Sequence, residues 1–473
     1  NDKSKLISAT VVRGLARAGD FLTATILGLA IALVYVNEPD VGSNPVYLSA
    51  IAATGLFVVG SFEVLGLYTI AAFTSILRQM PRIVLGWTIA FGLFVVSVFF
   101  VKMGAELSRV WLAVWYTAGA AALVGERLIL STVTRSWMRD GRLYRRAVLY
   151  GANDVSAEVI AELEADAESD IRISGIFDDR IDERNPRVIA GYPYLGGIES
   201  LVNFARETRI DLIIVALPMN AEQRLAGVLR TLSVLPVDIK LPARSSTVRF
   251  SRSVYSHIGR VPMFDLCDKP IADWGNVVKW LFDKTIAAVA LVLLTPVMLA
   301  VATAIRLESR GSVLFRQKRY GFNNELIEVL KFRSMYTDRC DAGATRLVTK
   351  DDPRVTGVGR FIRKTSLDEL PQLVNVLLGD LSLVGPRPHA LQAKAGTELY
   401  DAVVDGYFAR HKVKPGITGW AQINGWRGET DTEDKIRKRV EHDLYYIENW
   451  SIFLDLYILV KTPFALLKTE NAY

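Results

Sequence analysis

Long blocks of hydrophobic residues fill the first third of the chain and are separated by short polar loops. They cover residues 21–36, 46–60, 83–101 and 111–124. A helix needs about 20 mostly apolar residues to cross a bilayer, and each block approaches that length when its small neighbours are included. The pattern predicts a four-helix transmembrane domain over residues 1–134.

The charges around these blocks predict how the helices are oriented. Basic residues precede the first and third blocks and follow the fourth (Lys3, Lys5, Arg13, Arg17, Arg78, Arg82, Arg127, Arg135, Arg139, Arg142, Arg145 and Arg146). The loop at residues 37–41, between the first two blocks, is acidic. By the positive-inside rule, both ends of the four-helix domain face the cytosol.

Beyond residue 135 the pattern changes to short apolar strands alternating with amphipathic helices, which is typical of a parallel sheet built from βαβ units. Strands are predicted at 147–153, 173–179 and 211–218, within a Rossmann-like domain over residues 135–255. Asp178 and Asp179 end the second strand, where nucleotide-binding folds often place an acid for the ribose. However, the turn after Gly151 lacks the later glycines of G-x-G-x-x-G, so a degenerate domain with a scaffolding or regulatory role is favoured, with nucleotide binding left open.

A fifth apolar block covers residues 286–305 and has Thr295-Pro296 at its middle. It is long enough to span a membrane. Yet Lys279 and Lys284 lie before it and Arg306 and Arg310 lie after it, so the positive-inside rule assigns both ends to the cytosol. The sequence favours a re-entrant helix over residues 279–306 that bends at Thr295-Pro296, because proline removes an internal hydrogen bond and the threonine hydroxyl can satisfy a freed carbonyl.

Two adjacent carboxylates, Asp368 and Glu369, come just before Pro371. Proline fits best in the first turn of a helix, so a helix is predicted to begin near Leu367 or Asp368. A helix N-terminus favours ionised carboxylates and attracts phosphate oxygens. Asp368 is therefore a candidate nucleophile and its neighbour a candidate Mg²⁺ ligand. The alternative is that Ser366-x-x-Glu369 forms only a capping box.

Clusters of basic residues and glycine surround the acid pair in the sequence. The candidate phosphate-binding residues are Lys331, Arg333, Arg360, Arg363 and Arg387. Arginine matches phosphate oxygens, glycine permits a close approach of the backbone, and Pro386 and Pro388 would hold Arg387 in a stiff turn. These features together predict a phosphate-rich site.

Composition narrows the partners of such a site. The 473 residues are 51% hydrophobic and 22% charged, which indicates membrane segments joined to soluble domains. The net charge of +6 is concentrated beside apolar blocks, so anionic lipids and diphosphates are favoured as partners over nucleic acid. Cys267 and Cys340 are too few for a disulfide framework or a thiolate metal site.

From about residue 279 onward the chain resembles the bacterial sugar transferases, the monotopic polyprenyl-phosphate phosphoglycosyl transferases. The shared motifs are Phe282-Asp283, Phe315-Arg-Gln-Lys-Arg-Tyr-Gly321, Lys331-Phe-Arg-Ser-Met335, Thr365-Ser-Leu-Asp-Glu-Leu-Pro-Gln-Leu373, Gly379-Asp-Leu-Ser-Leu-Val-Gly-Pro-Arg-Pro388 and Gly416-Ile-Thr-Gly-Trp-Ala-Gln422. The four-helix start and the βαβ domain resemble the long form of this family. One departure is Thr295, where the family usually has serine before the proline.

The resemblance implies a catalytic domain over residues 256–473 on the cytosolic face of a bacterial inner membrane. Its C-terminal apolar segment is predicted to lie on the membrane surface, because charged residues interrupt it. The implied reaction transfers a hexose-1-phosphate from a UDP-sugar to undecaprenyl phosphate through an ester on Asp368, with Mg²⁺ held by Asp368 and Glu369. Thr418 and Gln422 are implied to help hold the nucleotide.

Other functions stay open at this point. A membrane-bound NAD-dependent nucleotide-sugar dehydratase would also combine four helices with a βαβ domain, but it needs an intact glycine motif and a Tyr-x-x-x-Lys pair. That spacing is noted only at Tyr457 and Lys461. A non-catalytic scaffold is disfavoured by the acid pair. The long form favours glucose over galactose or an N-acetylated sugar without deciding between them, and a homodimer is compatible with the sequence.

Overall fold

The computed structural model describes residues 7–36, 44–100, 107–165, 171–180, 188–217, 222–243, 255–258, 261–336, 352–388, 394–395, 398–399, 407–426 and 432–467. The acidic loop predicted at 37–41 and Cys340 lie outside the described residues. The chain forms two compact units. One comprises Asp2–Arg145 with Asp166–Arg172, and the other comprises Asn1, Arg146–Ala165 and Ile173–Tyr473.

The first unit is helical. Its helices are α1 (Ala9–Tyr35), α2 (Pro45–Val64), α3 (Ile70–Thr74), α4 (Ile76–Phe100) and α5 (Arg109–Arg139). Each of the four apolar blocks falls largely within a long helix, and both α1 and α4 pack against α2 and α5. The indole nitrogens of Trp111 and Trp115 on α5 donate to backbone carbonyls of Gly28 and Ala24 on α1, each at 3.0 Å.

A buried ion pair lies within this helical unit. Asp20 on α1 is fully buried and accepts hydrogen bonds from Arg127 on α5, at 2.5 Å, and from the Tyr68 hydroxyl, at 2.7 Å. The sequence pattern places Arg127 among the basic residues that follow the fourth block. In the structure it points into the helical unit instead, because Asp20 neutralises its charge there.

The second unit begins with a six-stranded sheet in the order β2-β1-β5-β6-β8-β7. Its strands are β1 (Arg145–Tyr150), β2 (Ile171–Phe177), β5 (Leu212–Val215), β6 (Asp238–Pro242), β7 (Tyr255–Ile258) and β8 (Val261–Cys267), while β3 (Val188–Ile189) and β4 (Tyr192–Pro193) form a separate hairpin. Strands β1, β5 and β6 pair in parallel, which confirms the predicted parallel-sheet domain. The last two strands pair antiparallel, so the sheet continues past residue 255 to Cys267.

Three helices accompany this sheet: α6 (Asp154–Ala165), α7 (Ile198–Glu207) and α8 (Glu222–Leu232). The buried strand residues explain why the sheet forms here. Every residue of β5 is buried, as are the last four residues of β1. Strands that are apolar on both faces are typical of a parallel sheet covered by helices.

The rest of the second unit starts with α9, a 36-residue helix from Asp273 to Glu308 that contains Pro296. Only the residues near its two ends are buried: Lys279, Asp283 and Ala287 toward the start, and Val301 and Ile305 toward the finish. The apolar middle is exposed. The Thr295 hydroxyl donates to the Leu291 carbonyl at 2.6 Å, an arrangement that bends helices.

Five helices among the described residues are long and apolar enough to cross a membrane: α1, α2, most of α4, α5 and α9. The helices and parallel sheet together are those of a membrane protein of the α and α/β classes. The remaining elements are β9 (Leu314–Tyr320), β10 (Leu326–Phe332), α10 (Gly357–Lys364), α11 (Gln372–Leu378), β11 (Ser382–Val384), β12 (Lys394–Ala395), β13 (Glu398–Leu399), β14 (Gly416–Thr418), α12 (Trp420–Ile423), α13 (Glu433–Glu448) and α14 (Ile452–Leu467).

Helix α14 carries the predicted surface segment. Phe453, Val460 and Phe464 are more than half exposed on one side, whereas Asp455 is fully buried on the other. Asp455 accepts from Lys279 of α9 at 2.7 Å and from the Tyr446 hydroxyl at 2.7 Å. The charge that interrupts the apolar segment in the sequence therefore joins α14 to α9.

Candidate active site

The acid pair lies in a tight helical turn between α10 and α11. A 3-10 turn covers Leu367–Glu369, and α11 follows directly after Pro371. A helical turn thus begins where the proline predicts it. Ser366 before it has a left-handed backbone with φ of 60° and makes no capping hydrogen bond through its side chain, so the capping-box interpretation is wrong. Such backbone strain in a residue other than glycine tends to collect at functional sites.

The carboxylate of Glu369 is held by two cations. Its Oε1 atom accepts from Lys331 Nζ of β10 at 2.9 Å and from Arg387 Nη2 at 2.6 Å, and Oε2 accepts from Arg387 Nη1 at 3.3 Å. All three side chains are at most 24% exposed. Lys331 and Arg387, which the sequence predicts as phosphate ligands, therefore lie in the site and are paired with Glu369.

Asp368 is in a different position from its neighbour. Within the described part of the chain its carboxylate makes no hydrogen bond or ion pair, although the charges of Lys331, Arg363 and Arg387 act on it. Its lone pairs are therefore available to a substrate or a cation. Of the two acids, Asp368 is the one that is free to act as a nucleophile.

Burial and charge separate the two acids. Burial raises the pKa of Asp368 above its ordinary value, and Glu369 adds to that increase while Lys331 and Arg363 oppose it. Burial alone would also raise the pKa of Glu369, but Arg387 and Lys331 outweigh it and hold that pKa well below its usual value. The expectation that the helix N-terminus favours ionised Asp368 is thus incomplete, because burial is the larger influence on this group.

The backbone at Arg387 and Pro388 is held by half-buried Arg319 and buried Arg410, neither of which is among the predicted site residues. Arg319 of β9 donates to the carbonyl of Pro388, and Arg410 donates to the carbonyl of Arg387 at 3.0 Å. Burial, with a smaller contribution from Arg387, lowers the pKa of Arg319 to about 10. The signal for Arg319 was present in the Phe315–Gly321 motif. No sequence motif marks Arg410, because its partners lie far from it in the chain.

The motif glycines allow close contact between protein backbones. A Cβ atom on Gly416 would lie 2.1 Å from the nitrogen of Gly385, and one on Gly419 would lie 2.3 Å from the oxygen of Gly385. Parallel pairing of β11 with β14 depends on these contacts, since Gly385 N donates to Thr418 O at 2.9 Å. The sequence predicts that such glycines let phosphates approach the backbone, whereas in the structure they bring the Arg387 turn against β14.

Of the other basic residues predicted for the site, one acts on the acid pair and two do not. Arg363 lies at the end of α10 and acts electrostatically on Asp368, while Arg360 on the same helix is exposed. Arg333 is buried and caps α9 by donating to the carbonyls of Ser309 and Arg310, each at 2.8 Å.

Thr418 and Gln422 lie on β14 and α12. The Thr418 hydroxyl is paired with that of Thr462 at 2.8 Å. Gln422 is 8% exposed, and its Oε1 atom is buried without a hydrogen-bond partner among the described residues. The predicted role of these two residues in holding a nucleotide stays a prediction.

Two family models match this chain. The bacterial sugar transferase model matches residues 274–469, and a CoA-binding domain model matches residues 63–243. The UDP-glucose:undecaprenyl-phosphate glucose-1-phosphate transferase of Klebsiella pneumoniae is 39% identical over 359 residues, covering 76% of both chains. The protein of the same name from Xanthomonas campestris pv. campestris is 34% identical over 432 residues, covering 90% of this chain and 88% of that one.

The chain belongs to the bacterial sugar transferase family. Similarity over a shorter length extends to a relative named for another sugar. The UDP-N-acetylgalactosamine-undecaprenyl-phosphate N-acetylgalactosaminephosphotransferase of Aeromonas hydrophila is 44% identical over 181 residues, covering 38% of this chain and 41% of that one. A solved structure of RSP, a Rex-family repressor, is 14% identical with a TM-score of 0.18 over 37% of this chain and 82% of that chain, a likeness too weak to inform fold or ligand.

The residues of the Rossmann-like domain do not fit a dinucleotide or the diphosphate of CoA at the usual position. Such a ligand places its phosphates on the N-terminus of the first helix, here α6. In this chain the fully buried carboxylate of Asp178 accepts from the amide of Ala152 at that turn, at 2.8 Å, and from Arg224 at 2.9 Å. The carboxylate of Asp178, paired with Arg224 and Arg180, therefore already occupies a backbone donor of that turn.

Proposed function

We propose that this protein transfers glucose-1-phosphate from UDP-glucose to undecaprenyl phosphate and releases UMP. The observation that carries the proposal is the carboxylate of Asp368, which has no partner among the described residues and lies beside Glu369, whose charge Lys331 and Arg387 neutralise. The sequence relatives named for this reaction that cover three quarters or more of the chain support the choice of glucose. The N-acetylgalactosamine relative matches only 38% of this chain, so similarity over that length alone does not choose the sugar.

The proposed chemistry has two steps at one phosphorus atom. In the first, a carboxylate oxygen of Asp368 attacks the phosphate that carries the sugar, the bond from that phosphorus to the bridging oxygen breaks, and UMP leaves with the electron pair. In the second, an oxygen of the lipid phosphate attacks the same phosphorus and displaces Asp368. The lipid diphosphosugar is released and the free carboxylate returns.

The cations around the acid pair suit this chemistry. Lys331 and Arg387 keep Glu369 ionised, and with Arg363 they offset the repulsion between the carboxylate of Asp368 and the negative phosphates. Preorganised positive charge in a buried site is worth more than the same charge in water. Arg360 and Arg363 are the candidates for contact with the phosphates of donor or acceptor, because they are not the cations that bind Glu369.

Mg²⁺ is the metal that fits this donor set. Magnesium is usually bound by one or two carboxylates together with substrate phosphates, and no group of three His, Cys, Asp or Glu side chains suitable for a metal occurs among the described residues. We propose that Asp368 and Glu369 hold it, with Asp368 offering unpaired oxygens and Glu369 its remaining lone pairs. The ion would neutralise developing charge on the phosphates.

We further infer that α9 enters the membrane from the cytosol and returns to it. A straight helix of this length would extend about 54 Å, yet both ends are held by neighbouring elements of the second unit. Near the start, Lys284 Nζ donates to the Val376 carbonyl of α11 at 2.9 Å. At the finish, Glu308 accepts from the amide of Gly357 of α10 at 2.7 Å.

The surface of α9 also supports a re-entrant path. The exposed apolar middle, with Val292 73% and Leu293 71% exposed, would lie in the bilayer, with the bend at Thr295-Pro296. The four long helices of the first unit would span the inner membrane as a four-helix bundle. The acid pair would then face the cytosol.

The nucleophile is tested by replacing Asp368 with asparagine, which changes volume little and removes the reacting carboxylate. We expect UMP release by the purified protein in detergent, supplied with UDP-glucose, polyprenyl phosphate and Mg²⁺, to fall by about 10⁴-fold or more. Asp434→Asn makes the same chemical change on the exposed first turn of α13 and should leave the rate unchanged. Substantial activity in folded Asp368→Asn protein would rule out the assignment.

The electrostatic role of Arg363 predicts a pH effect. Its charge lowers the pKa of Asp368, so Arg363→Gln should raise that pKa further and move the acidic limb of the kcat/KM profile to higher pH. Lys364→Gln removes an exposed charge from the next position, which is not among the groups that act on Asp368, and should leave the limb in place. An unmoved limb in Arg363→Gln would show that Asp368 does not control it.

The path of α9 is tested by labelling single cysteines in intact cells after Cys267 and Cys340 are replaced by serine. Cysteines at the exposed positions Asn276 and Arg310 should react only after the cytosolic face is opened, because both ends of α9 would lie there. A cysteine at Ser43, between the first two apolar blocks, serves as the control. It should react in intact cells, because a first helix that starts in the cytosol and spans the membrane ends outside. Reaction of Arg310→Cys from outside would instead establish a spanning helix.

A further inference from the structure

The segment Tyr407–Lys412 contacts both the Rossmann-like domain and the turn that carries Arg387. Arg410 in this segment is 1% exposed and donates both to the carbonyl of Arg387, at 3.0 Å, and to the buried carboxylate of Asp443 on α13. It also donates to the Tyr407 hydroxyl at 3.0 Å. A buried guanidinium with partners on three sides has little freedom to move, and so it fixes the backbone of Arg387.

The same segment is supported from its other side by α7 of the Rossmann-like domain. Arg206 of α7 lies over the ring of Phe408, 5.5 Å from its centre. Asn323, in the turn between β9 and β10, donates to the carbonyl of Ala205 at 3.2 Å, and the adjacent Asn324 is hydrogen-bonded to His411. These contacts form a continuous path from α7 to the Tyr407–Lys412 segment.

We propose that Arg410 is a positioning residue for Arg387 and that α7 braces it, so the Rossmann-like domain acts on the reaction by supporting the acid pair. The inference rests on the proposed function. Arg387 reaches Glu369 with both terminal nitrogens, and this bidentate geometry depends on where the Arg387 backbone lies. Loss of the Arg410 contact would let the turn shift and move the Arg387 guanidinium away from Glu369. No group that touches substrate would be lost.

The path gives the Rossmann-like domain a role that needs no bound nucleotide. Asp178 occupies the turn where a nucleotide phosphate would bind, so occupancy of that turn does not explain why the domain lies beside the catalytic residues. Mechanical support explains why the domain lies there, because α7 contacts the segment that carries Arg410.

The main test replaces Arg410 with lysine, which keeps a charge for Asp443 but lacks the planar group needed to reach both Asp443 and the Arg387 carbonyl. A misplaced catalytic group commonly costs about 10²-fold in rate, and we expect kcat to fall on that scale with KM for UDP-glucose changed less. Arg209→Lys alters another Arg–Asp pair of low exposure, away from the acid pair, and should change neither quantity.

The decisive readout is the combination of the two substitutions. If Arg410 acts through Arg387, the Arg387→Lys/Arg410→Lys double variant should be no more than about twofold slower than Arg387→Lys alone. Fold losses that multiply would overturn the proposal. Should Arg410→Lys fail to fold, the Arg410→Gln/Asp443→Asn variant removes both buried charges together and is judged by the same comparison with Arg387→Lys.

The brace is tested on the surface of α7. Arg206→Ala should lower kcat by about 3- to 10-fold. Asn203→Ala, at an exposed position of the same helix, should leave kcat unchanged. Equal rates for both variants and the unmodified protein would exclude the brace. Unmodified protein that releases no UMP would refute the proposed function instead, so the two failures are distinguishable.

Discussion

The site depends on keeping two adjacent carboxylates together where water is scarce. Two like charges side by side in a buried place repel each other, and each resists ionisation. In this chain the two carboxylates differ in how their charge is stabilised. Lys331 and Arg387 bind Glu369 and stabilise its charge, while Asp368 beside them has no ion-pair partner among the described residues. The inequality gives one acid a supporting role and leaves the other available for reaction.

Much of the structure serves to bring the cations to that point. Strand β10 supplies Lys331, and the turn after β11 supplies Arg387. Asn375 joins α11 to β10 by accepting from the amide of Leu330 at 2.9 Å and donating to the Glu328 carbonyl at 2.7 Å. The start of α9 is tied to β11, because Lys279 donates to the Val384 carbonyl at 3.0 Å. The helix proposed to enter the membrane is thus connected to the turn that holds Arg387.

The sequence predicts the features that depend on neighbouring residues. Apolar blocks predict the long helices, alternating strands and helices predict the parallel sheet, and Pro371 predicts the helical turn at the acid pair. The cation cluster is predicted in part, since Lys331 and Arg387 meet at Glu369 and Arg363 acts on Asp368. Local patterns predict these helices, strands and turns well, because the residues that form them are neighbours in the chain.

Features that depend on distant contacts are missed. Arg333 resembles Lys331 in sequence context, yet it caps α9, because residues two apart in the Lys331-Phe-Arg stretch find different partners. Arg410 and Asp443 carry no motif, and only the fold brings them together against Arg387. The glycines of β14 were expected near phosphates, but a Cβ at Gly416 would collide with Gly385. Pairwise contacts of this kind are not encoded in any single stretch of the chain.

The central claim is that Asp368 forms a covalent bond to the sugar phosphate before the lipid takes part. It is tested most directly by mixing the purified enzyme with Mg²⁺ and a UDP-glucose labelled in the sugar, with no lipid acceptor present. If Asp368 is the nucleophile, about one equivalent of UMP per enzyme is released and the label is bound to the protein at Asp368. UMP release only when polyprenyl phosphate is added, with no label on the protein, would contradict it.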